Sequence, residues 1–295
     1  MSGSSASSES TAPPKGGDLS VTALYTCGTW AWARLPGAEL FDHVDAERVF
    51  GVTNAALALA KPFFGKGLSL KHALVQRHVM IDRVVAGSGA RAVLEIACGL
   101  SRRGASFTMA DPSLGYVELD RPHVIAKKRE LAARTEAGRA ALANPRWRLV
   151  GGDAADASFA ALVGELPDVP ADAPLAVVAE GLLMYLDAAQ QRALWQRVRE
   201  LFAAREGVFV FDLVPTIEQP RPGAVGRGLE WTMKRFTGGQ SFERDPRTRD
   251  DLARELGACG FTVEMIEPKS APRAWQLPHL DVPTQQLVYV ARPRR

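Results

Sequence analysis

Short apolar runs separated by turn-forming residues recur along the C-terminal two thirds of the chain. They predict seven strands, at residues 92–97, 116–119, 148–150, 175–179, 207–213, 261–266 and 286–291. Continuous apolar runs of this length are typical of strands buried on both faces of a sheet. Apolar residues at helical spacing over 188–203, and a helix start at Pro122 that leads to about residue 137, place helices between strands.

Strands that alternate with helices predict an α/β fold, with a parallel, Rossmann-like sheet, right-handed crossovers and helices on both faces. Between the sixth and seventh strands lies only a loop that contains Trp275 and His279. A strand that returns through a loop pairs antiparallel with its neighbour, so the seventh strand is predicted to be reversed.

The N-terminal part has a different pattern. Apolar residues at helical spacing over 45–60 and 70–85, with a break at 61–67, predict a helical cap over residues 19–88 that covers the cleft at the edge of the sheet. Residues 1–18 are rich in Ser, Gly and Pro and are expected to form a disordered tail. The sheet domain is then expected to span residues 89–295.

A long insertion interrupts the alternation at 215–246. It is rich in Gly, Pro and Arg and contains the aromatic residues Trp231, Phe236 and Phe242. Loops of this length are usually functional or mobile. We expect a lid or wall over a binding site here, with aromatic side chains that enclose an apolar ligand.

Composition narrows the possible functions. The net charge of +3 is small, and the Lys and Arg residues are interspersed with acidic ones, so no nucleic-acid partner is expected. No apolar run approaches the roughly 20 residues of a membrane span, and the first residues lack the features of a signal peptide. The three cysteines are far apart and show no metal-ligand spacing, which indicates a cytoplasmic protein without a bound metal.

The most informative stretch is residues 92–100, a buried strand that runs into a turn at Gly99. About 20 residues later the second strand ends in Asp120. A glycine lets a ligand approach the backbone closely, and a carboxylate at a strand end can accept hydrogen bonds from both ribose hydroxyls. Because the loop has one glycine and not the three of a pyrophosphate-binding loop, an adenosyl ligand without phosphates, S-adenosylmethionine (SAM), is favoured.

Further acids follow the next strands. Asp153 is suited to the adenine amino group, and Glu180 to the cationic amino group of the methionine moiety. Glu95, inside the first strand, is expected to be partly buried and to orient the loop. Helix capping is the alternative for each acid at a strand end.

The carboxylate of the methionine moiety needs a cation. Arg77, Arg102 and Arg103 are the candidates, because guanidinium groups bind carboxylates in a bidentate manner. One of the two adjacent arginines is expected to be a solvated surface residue.

Four segments together resemble the leucine carboxyl methyltransferase-like family, which includes the O-methyltransferase of tetracenomycin polyketide synthesis. Val93-Leu-Glu-Ile-Ala-Cys-Gly-Leu-Ser-Arg-Arg103 is similar to its V-L-x-L-G-A-G-x-D-T-R segment, and Val117-Glu-Leu-Asp-Arg-Pro-His-Val-Ile-Ala-Lys-Lys-Arg129 to its E-V-D-x-P-x-V-x-x-x-K. Ala179-Glu-Gly-Leu-Leu-Met-Tyr-Leu186 resembles A-E-G-L-L-x-Y-L, and Arg77-His-Val-Met-Ile-Asp82 resembles R-x-x-x-I-D. The resemblance covers most of the chain from about Val21, and its predicted fold is that of class I methyltransferases.

The resemblance implies that Arg77 and Arg103 hold the methionine carboxylate and that Gly99 passes close to the methionine moiety. It implies the roles already given for the acids at the strand ends. The predicted cofactor-binding set is completed by three neighbouring positions, Ala97, Leu119 and Ala154.

Two departures from the family pattern stand in the first segment. Ser101-Arg102 replaces Asp-Thr, which puts the hydrogen bonding of the loop in question. Ala97-Cys98 replaces Gly-Ala, which is expected to be harmless because these residues are also small.

The implied reaction is SAM-dependent O-methylation, of the carboxylate of a small molecule such as a polyketide or other secondary metabolite. A carboxylate is ionised at neutral pH and needs no strong base, whereas a phenol, with a pKa near 10, needs one. The substrate-side candidates are Tyr185, Trp231 and His279. The alternatives are a phenolic acceptor, a protein C-terminal carboxylate, a nucleotide-binding oxidoreductase and a SAM-fold binding protein without turnover.

Overall fold

The computed structural model describes residues 21–41, 43–64, 69–218 and 246–295, with the side chains of 59–64 excluded. The predicted tail at 1–18 and most of the predicted lid, with Trp231, Phe236 and Phe242, lie outside the described residues.

Seven strands form one sheet: β1 (Ala92–Ile96), β2 (Gly115–Asp120), β3 (Trp147–Gly151), β4 (Leu175–Ala179), β5 (Gly207–Asp212), β6 (Phe261–Ile266) and β7 (Val288–Pro293). Their order is β3-β2-β1-β4-β5-β7-β6. β7 is antiparallel to β5 and β6, and the four pairs from β3 to β5 are parallel. The predicted α/β fold and the reversed last strand are confirmed.

In the described part of the chain the α-helices are α1 (Val21–Trp32), α2 (Val44–Phe64), α3 (Leu70–Gly87), α4 (Arg103–Ala110), α5 (Pro122–Ala133), α6 (Glu136–Leu142), α7 (Phe159–Gly164), α8 (Ala188–Leu201) and α9 (Arg249–Ala258). The single helix predicted from Pro122 to about residue 137 is two helices. Thr135 has an extended backbone, and its side chain accepts the Gly138 N–H at 2.9 Å, so it caps a new helix. The helix at 249–258 was not predicted, although Thr248 and Asp251 form a capping box at its start.

Side chains that alternate along each strand build a core on both faces of the sheet. In β1, Val93 and Glu95 point to one face, while Leu94 and Ile96 point to the other. The first face packs against residues of α1, α3, α4 and α5, and the second against α7, α8 and α9. Glu95 is therefore directed into the interior beneath α3 and α4, a position that becomes important for the site.

The N-terminal helices share one core with the sheet. Trp30 of α1 and Val75 and Ile81 of α3 belong to the same buried cluster as Val93 and Val210 of the central strands. The helix α3 contacts both β5 and β7. Consequently, residues from α3 lie next to the carboxyl ends of the central strands, where ligands bind in open α/β sheets.

The turn after β1 contains a backbone conformation that its residue does not favour. Ala97 has a φ of 56°, in the left-handed region, and Gly99 follows with a φ of 52°. Ala97 occupies the position of the first glycine in the resembling family segment. The expectation that this replacement is harmless because alanine is small is wrong, since the left-handed conformation penalises any Cβ atom.

We expect Ala97→Gly to raise the free energy of unfolding by about 0.5–1 kcal/mol, because relief of the left-handed strain exceeds the extra entropy of the unfolded glycine. Urea unfolding measures the change. Ala133→Gly, at the exposed end of α5, is the matched control and should be neutral or destabilising. Equal effects at both positions would contradict the strain at Ala97.

Candidate functional site

The loop after β1 and the end of β2 are joined by hydrogen bonds. The Gly99 N–H donates to Asp120 Oδ2 at 2.7 Å, and the Arg121 N–H donates to Asp120 Oδ1 at 2.7 Å. The Cys98 N–H donates to the Leu119 carbonyl at 3.3 Å. Asp120 remains half-buried at the edge of the sheet, and a Cβ atom added to Gly99 would meet no atom within 4 Å. Gly99 and Asp120, both predicted to bind the cofactor, therefore lie together beside open space, which fits an adenosyl ligand.

Asp153 lies farther along the same edge, after β3. Its side chain is exposed, and its Oδ1 accepts the Ala155 N–H at 2.8 Å. This is a local turn contact and not a helix cap, because Ser158 caps the next helix, α7. The backbone of Ala154 is held by Arg197, whose Nη1 donates to the Ala154 carbonyl at 2.5 Å.

Glu180 follows β4 and lies in a buried network of charges. We call this network the buried ionic cluster, and its members are Arg77, His78, Asp82, Glu95, Arg102, Arg103, Glu180 and Asp212. The cluster joins α3, β1, the start of α4 and the ends of β4 and β5. Four segments of the chain therefore supply one site.

Three basic side chains hold the carboxylate of Glu180. Arg77 Nε donates to Oε1 at 3.0 Å, while His78 Nδ1 and Arg103 Nη2 lie 2.8 Å and 2.7 Å from Oε2. Burial acts to raise the pKa of Glu180, but His78, Arg77 and Arg103 outweigh it and hold this pKa well below its usual range. Glu180 is therefore an anion at neutral pH, as a partner for an ammonium group must be.

Arg103 is fully buried and binds three acids. Its Nε donates to Asp82 at 2.6 Å, its Nη1 to Glu95 at 2.6 Å and its Nη2 to Glu180 at 2.7 Å. Arg102 is only 3% exposed and donates to Asp82 and to the Pro36 carbonyl. The prediction that one of these arginines is solvated is wrong, because α3 and the segment after α1 cover the start of α4.

Glu95 is 1% exposed, so the expectation of partial burial is also corrected. Its Oε2 accepts hydrogen bonds from the Ser101 hydroxyl at 3.2 Å and the Tyr116 hydroxyl at 2.6 Å. The Ser101 hydroxyl in turn accepts the Arg103 N–H at 3.3 Å. The departure from the family pattern at Ser101 therefore leaves the loop with a hydrogen-bonded anchor to β1.

Asp212, at the end of β5, was missed as a site residue. Its Oδ1 accepts the Gly181 N–H at 2.6 Å, and its Oδ2 accepts from Arg77 Nη1 at 3.0 Å. The rule that selected Asp120 and Glu180 would have found it, but the predicted strand continued to Leu213 and placed Asp212 in its interior. His78 and Asp82 were within a segment that resembles the family, yet no pattern in the sequence connects them to Glu180.

The acid and the lysine in the second family-like segment form another buried pair. Glu118 in β2 and Lys128 in α5 are both fully buried, and Lys128 Nζ donates to Glu118 Oε2. Glu118 Oε1 accepts the Gly104 N–H at 3.2 Å. Burial raises the pKa of Glu118 to about 7. Through these contacts Glu118 connects β2 with Lys128 of α5 and with Gly104 of α4, so Glu118 and Lys128 have a structural role.

The raised pKa of Glu118 predicts a pH dependence of stability. The folded protein retains a proton on Glu118 up to about pH 7, whereas the unfolded chain releases it near 4.5. Its contribution to stability is thus present below pH 4.5 and is lost as the pH rises to about 7. We expect Glu118→Gln to flatten the decrease in unfolding free energy across this window, as measured by urea unfolding at several pH values. An unchanged slope would contradict the buried, protonated state.

The substrate-side candidates are separated by the fold. Tyr185 lies in a 3₁₀ turn, Leu183–Tyr185, close enough to Arg77 and Asp212 for their charges to act on it; burial raises its pKa. The ring of His279 instead stacks on Trp32, with 5.6 Å between centroids. Trp231 lies outside the described residues. The structure therefore brings Tyr185, and not His279, to the buried ionic cluster.

A cavity of about 240 Å³ opens at the same edge of the sheet, where β5 and β6 end and β7 begins. Its lining is mixed polar and apolar, and consists of Gln76, Val214, Arg249, Glu267, Pro268, Lys269, Leu280, Val282, Thr284, Gln285, Gln286 and Leu287. Gln76 precedes Arg77 on α3, and Val214 follows Asp212 by two residues. The lining therefore includes chain neighbours of two members of the buried ionic cluster, although none of its members lines the cavity itself.

Within the described ranges, no group of three or more His, Cys, Asp and Glu side chains is arranged to bind a metal ion. In the same ranges, no helix combines the length and apolar character needed to span a membrane.

Residues 49–199 match the leucine carboxyl methyltransferase family, and this match covers half of the chain. The chain belongs to this family. The match confirms the predicted family. The matched residues run from α2 to α8, so they include every member of the buried ionic cluster except Asp212.

Several mycobacterial proteins are similar to this family member. A protein of Mycobacterium sp. (strain KMS), provisionally named an S-adenosyl-L-methionine-dependent methyltransferase, is 40% identical over 128 residues, which are 43% of this chain and 40% of that protein. A protein of the same provisional name from Mycobacterium tuberculosis (strain ATCC 25618 / H37Rv) is 38% identical over 133 residues, 45% of this chain and 42% of that protein. The alignment spans about two fifths of the length of these relatives.

Two solved structures are also similar to this chain. A protein of Nostoc punctiforme PCC 73102, provisionally identified as an O-methyltransferase, has a TM-score of 0.49 at 17% identity, over 75% of this chain and 56% of that chain. The pyocyanin biosynthetic protein PhzM has a TM-score of 0.46 at 22% identity, over 92% of this chain and 69% of that chain.

Proposed function

We propose that this protein transfers a methyl group from SAM to a carboxylate oxygen of a small molecule. The observation that carries the proposal is the contact between Gly99 and Asp120 at the carboxyl edge of the sheet, the edge that also holds the anionic Glu180 and its arginines. In this proposal Asp120 binds the ribose hydroxyls, Asp153 the adenine and Glu180 the ammonium group, while Arg77 attracts the carboxylate of the methionine moiety.

The residues that bind the cofactor would contribute to the reaction by alignment. SAM, when bound, supplies a methyl group on a sulfonium centre for in-line displacement. Holding two reactants in line can contribute roughly 7–11 kcal/mol to a barrier. The chain's own task is to fix the methionine moiety against the Glu180–Arg77 pair, to exclude water and to direct the acceptor oxygen.

A carboxylate acceptor is consistent with the groups near the cluster. The raised pKa of Tyr185 keeps its hydroxyl protonated at neutral pH, so it is not available as a base, and the ring of His279 stacks on Trp32. A carboxylate needs no base, because it is already ionised, whereas a phenol does. The family name of the match, leucine carboxyl methyltransferase, supports the same choice.

The cavity beside Gln76 is the proposed acceptor site. It lies at the carboxyl edge of the sheet and is lined by Gln76, the residue before Arg77 on α3. The exposed Lys269 supplies a cation to its lining, while Arg249 is paired with Glu218 and Glu267 at 2.6 Å each. Lys269 makes no ion pair with the described residues, which suits it to an anionic acceptor in the cavity. For such an acceptor, Lys269→Glu should raise the KM without changing the affinity for SAM.

Two measurements test the proposed function. By calorimetry, SAM and S-adenosylhomocysteine are expected to bind and NAD is not, because the loop at Gly99 lacks the further glycines of a pyrophosphate site. With methyl-labelled SAM and a library of carboxylates and phenols, label should be transferred to a carboxylate and released as methanol on mild alkaline treatment.

The outcomes separate the alternatives. Tighter binding of NAD than of SAM would refute the methyltransferase assignment. Label that resists base indicates an aryl ether and hence a phenolic acceptor. Label on a protein C-terminus and not on a small molecule would move the substrate class to proteins. SAM binding without transfer to any acceptor would favour a binding protein without turnover.

A further inference from the structure

Arg103 directs none of its N–H groups toward the surface of the protein. Its Nε, Nη1 and Nη2 each face a different carboxylate, and none of its surface is exposed. Each of these charge-assisted bonds, between 2.6 and 2.7 Å long, is in the range of strong pairs. To reach a ligand, Arg103 would have to leave acids buried without a partner, which is costly.

Arg77 is arranged differently. Its Nε binds Glu180 and its Nη1 binds Asp212, both at 3.0 Å. Its Nη2 makes no hydrogen bond to the residues that the structure describes, and it lies 3.4 Å from where a Cβ atom on Gly181 would stand. Gly181 thus leaves room beside the part of Arg77 that still has N–H groups to donate.

His78 is enclosed on the other side of Glu180. It is fully buried, and its ring lies against Trp30 with 4.5 Å between centroids. Its Nδ1 is 2.8 Å from Glu180 Oε2 and 3.0 Å from Arg103 Nη2, while its Nε2 lies 3.9 Å from Asp82. An Nδ1–H tautomer donates to Glu180 and fixes the plane of that carboxylate, with no surface through which His78 could meet a ligand.

We infer that Arg103 and His78 are positioning residues that act through Glu180, and that Arg77 is the arginine of this cluster that meets the carboxylate of the cofactor. This inference rests on the proposed binding of SAM. It replaces the role that family resemblance implies for Arg103. Glu180 is then the junction between a buried half, with Asp82 and Glu95, and a half that faces the ligand.

Ligands that lack one group each can distinguish these roles. The probes are S-adenosylhomocysteine, its analogue without the α-carboxylate, its analogue without the α-amino group, and methylthioadenosine, which lacks both. Calorimetry gives their affinities for the full chain and for the variants Arg103→Lys, His78→Gln and Arg77→Lys. Since only binding is measured, the acceptor need not be known.

If Arg103 and His78 act through Glu180, Arg103→Lys and His78→Gln should each weaken S-adenosylhomocysteine and the decarboxylated analogue by about tenfold, in line with the loss of one charge-assisted hydrogen bond. They should leave the analogue without the amino group, and methylthioadenosine, within about twofold, since neither ligand uses Glu180. The penalty of Arg77→Lys should shrink when the carboxylate is absent.

Three results would overturn the inference. An Arg103→Lys penalty that disappears with the decarboxylated analogue means that Arg103 contacts the carboxylate. Equal losses for all four ligands, methylthioadenosine included, mean a general structural defect. A His78→Gln variant with normal affinity for every probe means that His78 does not position Glu180.

His78→Gln decides the matter if Arg103→Lys does not fold, because a glutamine amide stands near the position of the histidine Nε2 and so removes the Nδ1 donor beside Glu180, while the arginine pairs stay in place. The same measurements also distinguish a failure of the proposed function from a failure of the positioning role of Arg103 and His78. If S-adenosylhomocysteine does not bind the unaltered protein, the proposed function fails. If it binds and the variants show another ligand pattern, only the assignment of Arg103 and His78 fails.

Discussion

Arg103→Met is expected to lower the free energy of unfolding by about 3–5 kcal/mol, because removal of one partner leaves buried charges uncompensated. Three carboxylates, those of Asp82, Glu95 and Glu180, would lose their shared cation in a site from which water is excluded. Methionine has a comparable length, so the loss reports on charge more than on volume. Urea unfolding at neutral pH measures the effect.

The matched control is Arg134→Met. Arg134 pairs with Glu130 on the surface, where the two side chains are 43% and 49% exposed. Exposed pairs contribute about 0–1 kcal/mol, so this variant should be close to the unaltered protein. Similar small losses at both positions would show that Arg103 does not hold the cluster together.

Asp120→Ala is expected to weaken the binding of S-adenosylhomocysteine by about 1–3 kcal/mol, which is roughly 5- to 150-fold. The change removes the acceptor proposed for the ribose hydroxyls, and it also frees the Gly99 N–H, which Asp120 holds at 2.7 Å. The loop would lose its fixed distance from the end of β2. Calorimetry on the purified protein measures the affinity.

Stability without a ligand should change little, because Asp120 is half-buried and its partners are backbone groups at the edge of the sheet. Asp153→Ala is the comparison on the same edge; its exposed side chain should cost less affinity. If Asp120→Ala unfolds the protein but leaves the affinity of the folded fraction unchanged, the role of Asp120 is structural.

Much of the fold could be predicted from local patterns. Apolar runs mark strands because both faces of a parallel sheet are covered, and the loop between β6 and β7 predicts the reversed strand because no crossover helix is present. The predicted strand boundaries lie within about two residues of those observed, as ends of elements depend on hydrogen bonds that pattern does not record. The two helices α5 and α6 were merged because the cap at Thr135 sits between runs of similar spacing.

Some residues of the candidate site could also be predicted from the sequence, and others could not. Asp120 and Glu180 are identifiable because the ends of parallel strands meet at one edge, so their position along the chain predicts their position in space. The partners of Glu180 are not identifiable by this rule. Arg77 and His78 come from a helix about 100 residues away, and only the packing of α3 on the sheet brings them to 3.0 Å and 2.8 Å from Glu180.

The sequence by itself determined the seven strands, the loop at Gly99, the acids at the strand ends and the family, because each depends on residues close together in the chain. Only the tertiary structure decided that Arg102, Arg103 and Glu95 are buried. Burial depends on which helix covers a residue, and these three residues are covered by α3 and by the segment after α1. That enclosure lowers the local dielectric constant and makes the charges pair with one another, which leaves Arg77 as the arginine beside the open edge.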